Sequence, residues 1–353
     1  SFIMFKIVVV GPGLMGKQHI AKIELLPGMM LSAVVAPASS INIDYVATLN
    51  VPMFSDLESC ISSQKPDGVI IASPNEFHAE QAIICIKHNI PILLEKPLAM
   101  SLTEGKRIVD CAKNQGFVDK VIVGHHRVYS PLIQYASNII QSGRLGKVVT
   151  LQGSAQFYKP QHYFLEGEWR TRKGGGPILI NMIHEISNMR KLVGEIEAVQ
   201  VISSSAMRGY DVEDTAVINF RFEGGVLGSF VLSDTAASAR SWEFTSAENP
   251  SYPYYGEEHC YSVAGTLGSI DIPTMKVKSY GSCRDASWWE PFQESCDVIE
   301  RKDPLLLQLA HFKAVINGVE SPAVSVLDGS RNLAVVEAIK HAGQSGHLEK
   351  VVY

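Results

Sequence analysis

The segment KIVVVGPGLMG, residues 6–16, joins a run of β-branched residues to three closely spaced glycines. Lys6–Val10 lacks alternation of polar and apolar residues, which is typical of a strand buried on both faces of a parallel sheet. The pattern GxGxxG follows this strand directly and opens a predicted helix, Leu14–Leu26. Because the motif stands between a strand and a helix, it predicts a loop that binds a dinucleotide.

The three glycines of this loop have different predicted roles. Gly11 permits the tight turn, Gly13 lets the backbone approach a pyrophosphate closely, and Gly16 lets the helix pack against the strand. The helix opens at Leu14 and Met15, so its free N–H groups and partial positive charge are available to the phosphates. We therefore expect NAD or NADP as the cofactor.

The end of the second predicted strand, Leu31–Val35, bears on the choice between these cofactors. An acid that binds the adenosine ribose is expected about twenty residues after the last glycine. That position is Ala36, and the uncharged residues that follow it include Ser39 and Ser40. An acid would repel a 2′-phosphate, so its absence permits NADP, yet no Arg or Lys stands nearby to attract that phosphate. The sequence leaves the choice open.

Further apolar runs alternate with helical patterns in the first third of the chain. Gly68–Ala72, Ile92–Glu95 and Val121–Val123 each end at a polar segment. Between the last two, SLTE at 101–104 has the form of a helix capping box. Repeated strand–helix units of this kind predict a doubly wound parallel sheet in a first domain, residues 1–124.

Polar side chains follow the ends of these strands, where an open parallel sheet binds its ligands. Ser73, Glu95, Lys96 and His125 all occupy such ends. Pro97 stops the strand before it and fixes the local turn, so Lys96 is presented from a stiff backbone. We expect the Glu95–Lys96 pair to lie at the cofactor rim, where the lysine reaches a substrate hydroxyl.

The second half of the chain changes to longer strands. Val148–Tyr158, Thr215–Phe222 and Val226–Leu232 have strand character, and one clear helix, Ile178–Leu192, stands between them. Consecutive strands with little helix between them predict a large, mostly antiparallel open sheet. The predicted second domain, residues 125–353, is therefore α+β, and the whole chain is α/β in class.

Composition argues against several kinds of partner. The net charge of −5 and the lack of a basic stripe argue against nucleic acid, and no apolar run reaches the length of a membrane span. The opening residues SFIMFKIVVV lack the features of a signal peptide, and the six cysteines show no CxxC spacing. We expect a cytoplasmic protein that acts on a small molecule.

Several segments of the chain occur in an order found in one known family. They are GPGLMG at 11–16, SPNEFH at 73–78, EKP at 95–97, VGHHRVYSP at 123–131, WR at 169–170, and GGG at 174–176 before His184. Over nearly its whole length the chain resembles the Gfo/Idh/MocA oxidoreductases. The resemblance implies a Rossmann domain followed by a domain whose open sheet commonly forms homodimers or homotetramers. It also implies hydride transfer between NAD(P) and a secondary alcohol of a sugar, polyol or cyclic diol.

The resemblance implies two catalytic residues that also bind the substrate. Lys96 matches the family lysine that hydrogen-bonds the reacting hydroxyl, and His184 matches the histidine that serves as acid and base beside it. Oxidising an alcohol removes a proton as hydride leaves, and imidazole titrates near neutral pH. A nearby ammonium stabilises the developing alkoxide.

One position departs from the family pattern. The family usually carries an aspartate four residues before this histidine, and here that position is Ile180. Asn181 lies three residues before His184, within side-chain reach on a helix. Asparagine can orient an imidazole but takes no proton. Either His184 works with Asn181 as a catalytic pair, or the acid–base scheme differs in this chain.

The resemblance also gives roles to residues around the nicotinamide. Asn75 and His78 match residues close to the nicotinamide ribose, with a loop cap and a surface histidine as the alternatives. His126 leaves the last strand of the first domain on the cofactor side. Arg127 either binds a substrate carboxylate or joins the domains through an ion pair.

Aromatic residues and paired histidines have competing interpretations. Tyr163 and Trp169 either wall the substrate pocket or fill the core. The pair His125 and His126 has no third ligand at a suitable spacing, so no metal site is predicted.

Two other functions stay open beside the dehydrogenase or reductase. A dinucleotide-binding regulator without turnover is motivated by the missing aspartate. An NAD-dependent glycoside hydrolase, which some members of the family are, cleaves through transient oxidation and returns the cofactor unchanged.

Replacing Ala36 by Asp tests where the second strand ends and which cofactor it favours. For the unchanged chain we expect Kd values for NAD and NADP within about tenfold, or about 1.4 kcal/mol. In Ala36→Asp the carboxylate repels the 2′-phosphate and hydrogen-bonds the ribose, so the ratio shifts toward NAD. Calorimetric titration with both cofactors measures the shift, and an unchanged ratio would mean that the strand end is misplaced.

Overall fold

Two compact units make up the computed structural model, which describes residues 2–353. The first unit contains the chain up to His126 and also Pro304–Leu333. The second unit contains Arg127–Asp303 and Ala334–Tyr353. The units therefore do not simply follow one another along the chain, because a segment near the C-terminus belongs to the first.

Strands and helices alternate in the N-terminal part of the first unit. Short 3₁₀ turns at Asn75–Phe77 and Val118–Lys120 interrupt the alternation. In chain order the elements are β1 (Phe5–Val10), α1 (Leu14–Leu25), β2 (Met29–Val35), α2 (Ser40–Ala47), β3 (Met53–Phe54), α3 (Leu57–Gln64), β4 (Gly68–Ile71), α4 (His78–Lys87), β5 (Ile92–Leu94), α5 (Leu102–Asn114) and β6 (Val121–Val123).

These strands form one parallel sheet in the order β3-β2-β1-β4-β5-β6. The chain reverses its direction of winding between β1 and β4, at the switch point where such sheets bind dinucleotides. Val8, Ile70 and Leu93 are fully buried, as expected of strands covered on both faces. The predicted doubly wound Rossmann sheet is confirmed.

The rest of the chain is richer in strands. Its 3₁₀ turns lie at His126–Tyr129, Glu168–Thr171 and Glu223–Gly225. Its helices and strands are α6 (Pro131–Gln141), β7 (Val148–Gln156), α7 (Gln161–Leu165), α8 (Pro177–Ile180), α9 (Met182–Val193), β8 (Ile196–Ser204), β9 (Thr215–Phe222), β10 (Leu227–Ser233), α10 (Trp242–Thr245), β11 (Tyr261–Gly265), β12 (Gly268–Ile272), β13 (Lys276–Ser279), β14 (Gln293–Cys296), α11 (Pro304–Ile316), α12 (Val326–Ser345) and β15 (Glu349–Lys350).

The second unit is built on a sheet of order β14-β13-β12-β11-β7-β10-β9-β8-β15. β7 and β10 pair in parallel, and the other neighbours are antiparallel. Alternate residues of β9, such as Ile218 and Phe222, enter a core shared with Ile133 of α6 and Ile186 of α9. The predicted large, mostly antiparallel sheet of an α+β unit is confirmed.

The C-terminal helices change the predicted domain division. The sequence assigns residues 304–333 to the second domain, but the structure places them in the first unit. Leu309, Phe312 and Val315 of α11 are fully buried in the same core as Ile7. The apolar face of α11 completes this core, which the first 124 residues leave unfinished.

The predicted helix Ile178–Leu192 is interrupted at Asn181. This residue has φ −103° and ψ −40° and stands between α8 and α9. Pro177 occupies the first turn of α8, and its carbonyl accepts the Asn181 N–H at 2.9 Å. His184 consequently stands in the first turn of a helix and not in the middle of one.

Candidate active site

The glycine loop leaves room for a ligand at its centre. Gly11 has φ +86°, and a Cβ there would lie 2.6 Å from Ser73 Cα. A Cβ on Gly16 would lie 1.9 Å from the Gly11 carbonyl oxygen, whereas one on Gly13 would meet no described atom within 4 Å. The two outer glycines are therefore required by the fold, and Gly13 borders open space.

The N-terminus of α1 begins beside this open space. Gly13 offers no side chain to cap the helix, Leu14 is 80% exposed, and Met15 is half-buried. Uncapped N–H groups at a helix N-terminus carry a partial positive charge that favours phosphate. The open backbone at Gly13 and these N–H groups fit the pyrophosphate of NAD or NADP.

The second strand ends where the sequence predicts. β2 stops at Val35, and the buried Ala36 donates its N–H to the Phe54 carbonyl at 2.9 Å. The Ser39 hydroxyl accepts the Asn42 N–H at 3.2 Å and so caps α2. One of the two hydroxyls considered for a 2′-phosphate is therefore already engaged.

Glu95, predicted to bind the cofactor, is buried and held by His19 of α1. His19 Nε2 and Glu95 Oε1 lie 2.7 Å apart, and the other carboxylate oxygen accepts the Lys96 N–H at 3.3 Å. Although burial raises the pKa of Glu95, His19 with His126 and Lys96 brings it below its ordinary value. The carboxylate ties the glycine-loop helix to the EKP segment. Sequence reasoning missed His19, whose signal was an imidazole among apolar residues of the predicted helix.

His78 joins the backbone segments that follow β4 and β5. It is fully buried, and its ring nitrogens lie 2.8 Å from the Pro97 carbonyl oxygen and 3.0 Å from that of Ser73. Burial lowers the pKa of this imidazole. The surface-histidine alternative is therefore excluded. Lys96 is half-buried and directly precedes Pro97, whose carbonyl His78 contacts. Asn75 is exposed in the 3₁₀ turn Asn75–Phe77.

His184 lies half-buried in the first turn of α9. Its N–H donates to the Asn181 carbonyl at 3.3 Å, across the break between the helices. Ile180 is apolar and half-buried, so the position of the family aspartate offers no side-chain acceptor in this chain.

Asn181 is engaged by a lysine that sequence reasoning missed. Lys159 follows β7, and its Nζ donates to Asn181 Oδ1 at 2.8 Å. Burial lowers the pKa of Lys159 to about 8, against the raising effects of Asp234 and Glu243. The available signal was a lysine directly after aromatic residues, in FYKP, at the end of the predicted strand Val148–Tyr158.

Tyr163 and Trp169 occupy different environments. The Tyr163 ring centre lies 4.9 Å from Lys159 Nζ and 4.0 Å from the guanidinium carbon of Arg170. Arg170 also donates to the Tyr163 carbonyl at 2.6 Å. Trp169 is 56% exposed, so the core-filling alternative is excluded for it. Tyr163 belongs to the same cluster as Lys159.

Arg127 forms a buried network inside the second unit. Its guanidinium donates to Glu185 at 2.7 Å and to Glu243 at 2.8 Å, and the Tyr261 hydroxyl donates to the other oxygen of Glu185. Although burial opposes its charge, Glu243 and Glu185 raise the pKa of Arg127. Burial raises the pKa of Glu185 to about 7, against the lowering effect of the guanidinium. Both carboxylates belong to the same unit as Arg127, so these ion pairs are not the predicted link between the domains. Because Arg127 is already paired with two carboxylates, the geometry favours a structural role within the second unit over binding of a substrate carboxylate.

The two units define an NAD(P)-dependent oxidoreductase with a Rossmann unit and a second, sheet-based unit. Residues 5–125 match the family model described as "Oxidoreductase family, NAD-binding Rossmann fold". Residues 133–271 match the model described as "GFO/IDH/MocA C-terminal domain". The chain belongs to the Gfo/Idh/MocA family of oxidoreductases.

Relatives with known activities are similar along most of the chain. A 1,5-anhydro-D-fructose reductase of Ensifer adhaerens is 27% identical over 305 residues, which cover 84% of this chain and 83% of that protein. An inositol 2-dehydrogenase of Rubrobacter xylanophilus is 27% identical over 354 residues, covering 97% and 92%. The fold is shared with a WlbA dehydrogenase from Bordetella pertussis, solved with NADH and UDP-GlcNAcA, at a TM-score of 0.76 and 20% identity over 99% of both chains.

Alanine at two glycines separates cofactor binding from folding. Gly13→Ala should fold normally, because its Cβ enters open space, yet it should weaken NADH binding at least about tenfold, or about 1.4 kcal/mol, by blocking the pyrophosphate. Gly16→Ala should lower the free energy of unfolding, since its Cβ overlaps the Gly11 carbonyl. Calorimetric titration and urea unfolding measure the two effects. Unchanged NADH binding in Gly13→Ala would contradict the proposed position of the pyrophosphate.

Methionine at Arg127 tests its structural role. Arg127→Met leaves Glu185 and Glu243 buried without their cation, so the free energy of unfolding should fall by about 3–5 kcal/mol. The matched control is Arg172→Met, which removes an exposed pair with Glu168 and should cost less than about 1 kcal/mol. Urea unfolding compares the two variants. A stable Arg127→Met protein with a raised KM would instead support the substrate-binding role.

Proposed function

We propose that this enzyme transfers hydride between NAD or NADP and a secondary alcohol or ketone of a sugar, polyol or related cyclic diol. The observation that carries the proposal is the arrangement within the first unit. The helix of the open glycine loop is tied by His19 to Glu95, directly before Lys96. The activities named for the relatives, on an anhydro sugar and an inositol, support the class of substrate.

Each predicted catalytic residue has a task in this reaction. The bound nicotinamide supplies or accepts the hydride. Lys96 donates a hydrogen bond to the reacting oxygen, and its ammonium stabilises the negative charge that develops there. His184 exchanges the proton of the hydroxyl, with Asn181 at the start of its helix.

We also propose a homodimer or homotetramer formed through the outer face of the second unit's sheet. Ile202 of β8 and Val217 of β9 are adjacent across the strands and exposed, and Leu227 is exposed on β10. Such residues suit burial against a second copy, and light scattering measures the assembly.

We place the protein in the cytoplasm on the basis of its cysteine pattern. No helix within residues 2–353 is long and apolar enough to cross a membrane.

Alanine at Lys96 tests the proposed function. With 1,5-anhydro-D-fructose and NADPH or NADH, or with myo-inositol and NAD or NADP, Lys96→Ala should lower kcat by about 100-fold or more. NADH affinity should change less than about threefold, because the glycine loop is unaltered. Absorbance at 340 nm measures turnover, and calorimetry measures binding.

The control for this variant is Lys106→Ala, an exposed lysine of α5, which should leave both quantities unchanged. A Lys96→Ala enzyme as fast as wild type would refute the assigned role of Lys96. Cofactor binding without oxidation or reduction of any sugar or polyol would favour the regulator. Cleavage of a glycoside without net NADH would favour the hydrolase.

A further inference from the structure

Lys159 is fixed where several elements of the second unit meet. Its Nζ donates to Asn181, between α8 and α9, at 2.8 Å, and its carbonyl accepts from Arg208 Nη2 at 2.7 Å. The Tyr163 ring centre of α7 lies 4.9 Å from Nζ. The hydrogen bond to Asn181 uses one of the three N–H groups of the ammonium. The amine is therefore held at the helix break that precedes His184.

Charged groups of both signs face Lys159 from the surrounding elements. Asp234 follows β10 and Glu243 lies on α10, while Arg170 and Arg208 bring positive charge. Arg208 Nε lies 3.0 Å from Asp234 Oδ1, and both side chains are almost fully buried. Glu243 is paired with an arginine of its own unit. Because both carboxylates are compensated, burial prevails and the pKa of Lys159 falls to about 8.

The position of the family aspartate carries no group that exchanges protons in this chain. Ile180 takes the position of that aspartate, and the amide of Asn181 neither gains nor loses a proton near neutral pH. A lysine with a pKa of about 8, such as Lys159, can take up and release a proton near neutral pH.

We propose that Lys159 shares the acid–base role of His184, exchanging the hydroxyl proton of the substrate, and that Asn181 positions its amine. The inference rests on the proposed function. In the oxidation direction the carbinol C–H bond breaks, and its hydrogen and electron pair pass to the nicotinamide as hydride. The O–H bond breaks, its proton passes to the lone pair of Lys159 Nζ, and the carbonyl forms. Lys159 then returns the proton to water, and reduction runs through the same steps in reverse.

The first test measures the lysine itself, without turnover. The full chain is labelled with ¹³C at lysine Cε and titrated by NMR with and without NADH, and Lys159→Met identifies the resonance. Lys159 should titrate near pH 8, below the reference pKa of a lysine side chain, which is about 10.4. Asn181→Ala should lower the Lys159 pKa by removing an acceptor from the ammonium, and Asn181→Asp should raise it. Titration of Lys159 together with the exposed lysines would overturn the proposal.

The second test is the pH dependence of kcat/KM for myo-inositol oxidation, or for reduction of 1,5-anhydro-D-fructose if that is the compound turned over. Oxidation needs the neutral amine, so its rate should rise with pH through about 8, and reduction needs the ammonium, so its rate should fall. This pH-dependent part of the kcat/KM profile, called the limb below, should be absent in Lys159→Met. The rate of that variant should also fall at least about tenfold. The two Asn181 variants should move the limb in the directions seen by NMR, and Lys302→Met, an exposed lysine of the same unit, should change nothing.

The outcomes separate this inference from the proposed function. If Lys159→Met lowers the rate equally at every pH, the lysine is structural and the inference fails while the dehydrogenase or reductase stands. If wild type turns over neither compound nor any other sugar or polyol, the proposed function fails and the proton role fails with it. A limb that is lost in Lys159→Met and moved by both Asn181 variants supports the proposal.

Discussion

The hydrogen bond between His19 and Glu95 is the constraint on which the first unit's site depends. It joins the helix after the glycine loop to the residue before Lys96, two segments that are far apart in the chain. Both side chains are almost fully buried, so removal of either would leave the other without its compensation. Together with the sheet and with His78, this contact fixes the place where a pyrophosphate fits relative to the place where the lysine emerges.

In the second unit, most of the buried charged side chains described here are compensated by ion pairs. Arg127 is shared by two carboxylates, and Arg208 is paired with Asp234. The net contribution of such ion pairs to stability is small, because burying charged groups offsets much of their attraction. Lys159 stands apart, because its hydrogen-bond partner Asn181 is neutral. A cation with only partial compensation can change its charge near neutral pH, which a fully paired one cannot.

Features determined by local sequence were predictable. β9 has the predicted bounds, Thr215–Phe222. Ser101 caps α5 by accepting the Glu104 N–H, as the SLTE box predicts. These signals depend on neighbouring residues, so the sequence alone contains them. The glycine loop and the end of β2 followed for the same reason.

Features that depend on tertiary packing were not predictable. His19 and Glu95, or Lys159 and Asn181, are ordinary polar residues until the fold brings them together. The interruption of the long predicted helix at Asn181 was missed because the periodicity of apolar residues continues across it. The allocation of α11 was missed because its apolar face does not reveal which sheet it covers. The role of each partnered residue therefore had to be derived from contacts across the fold.

The return of α11 to the first unit has a consequence for the order in which the protein is made. The strands of the parallel sheet are synthesised before Arg127–Asp303 of the second unit, but the residues that complete their core, Leu309, Phe312 and Val315, follow that segment. The core of the second unit waits as well, since Val335, Ile339 and Ala342 of α12 are buried in it and follow residue 303. Neither hydrophobic core can therefore close fully on a nascent chain that stops at residue 303, and a prematurely terminated chain would expose two unfinished apolar surfaces to aggregation and proteolysis.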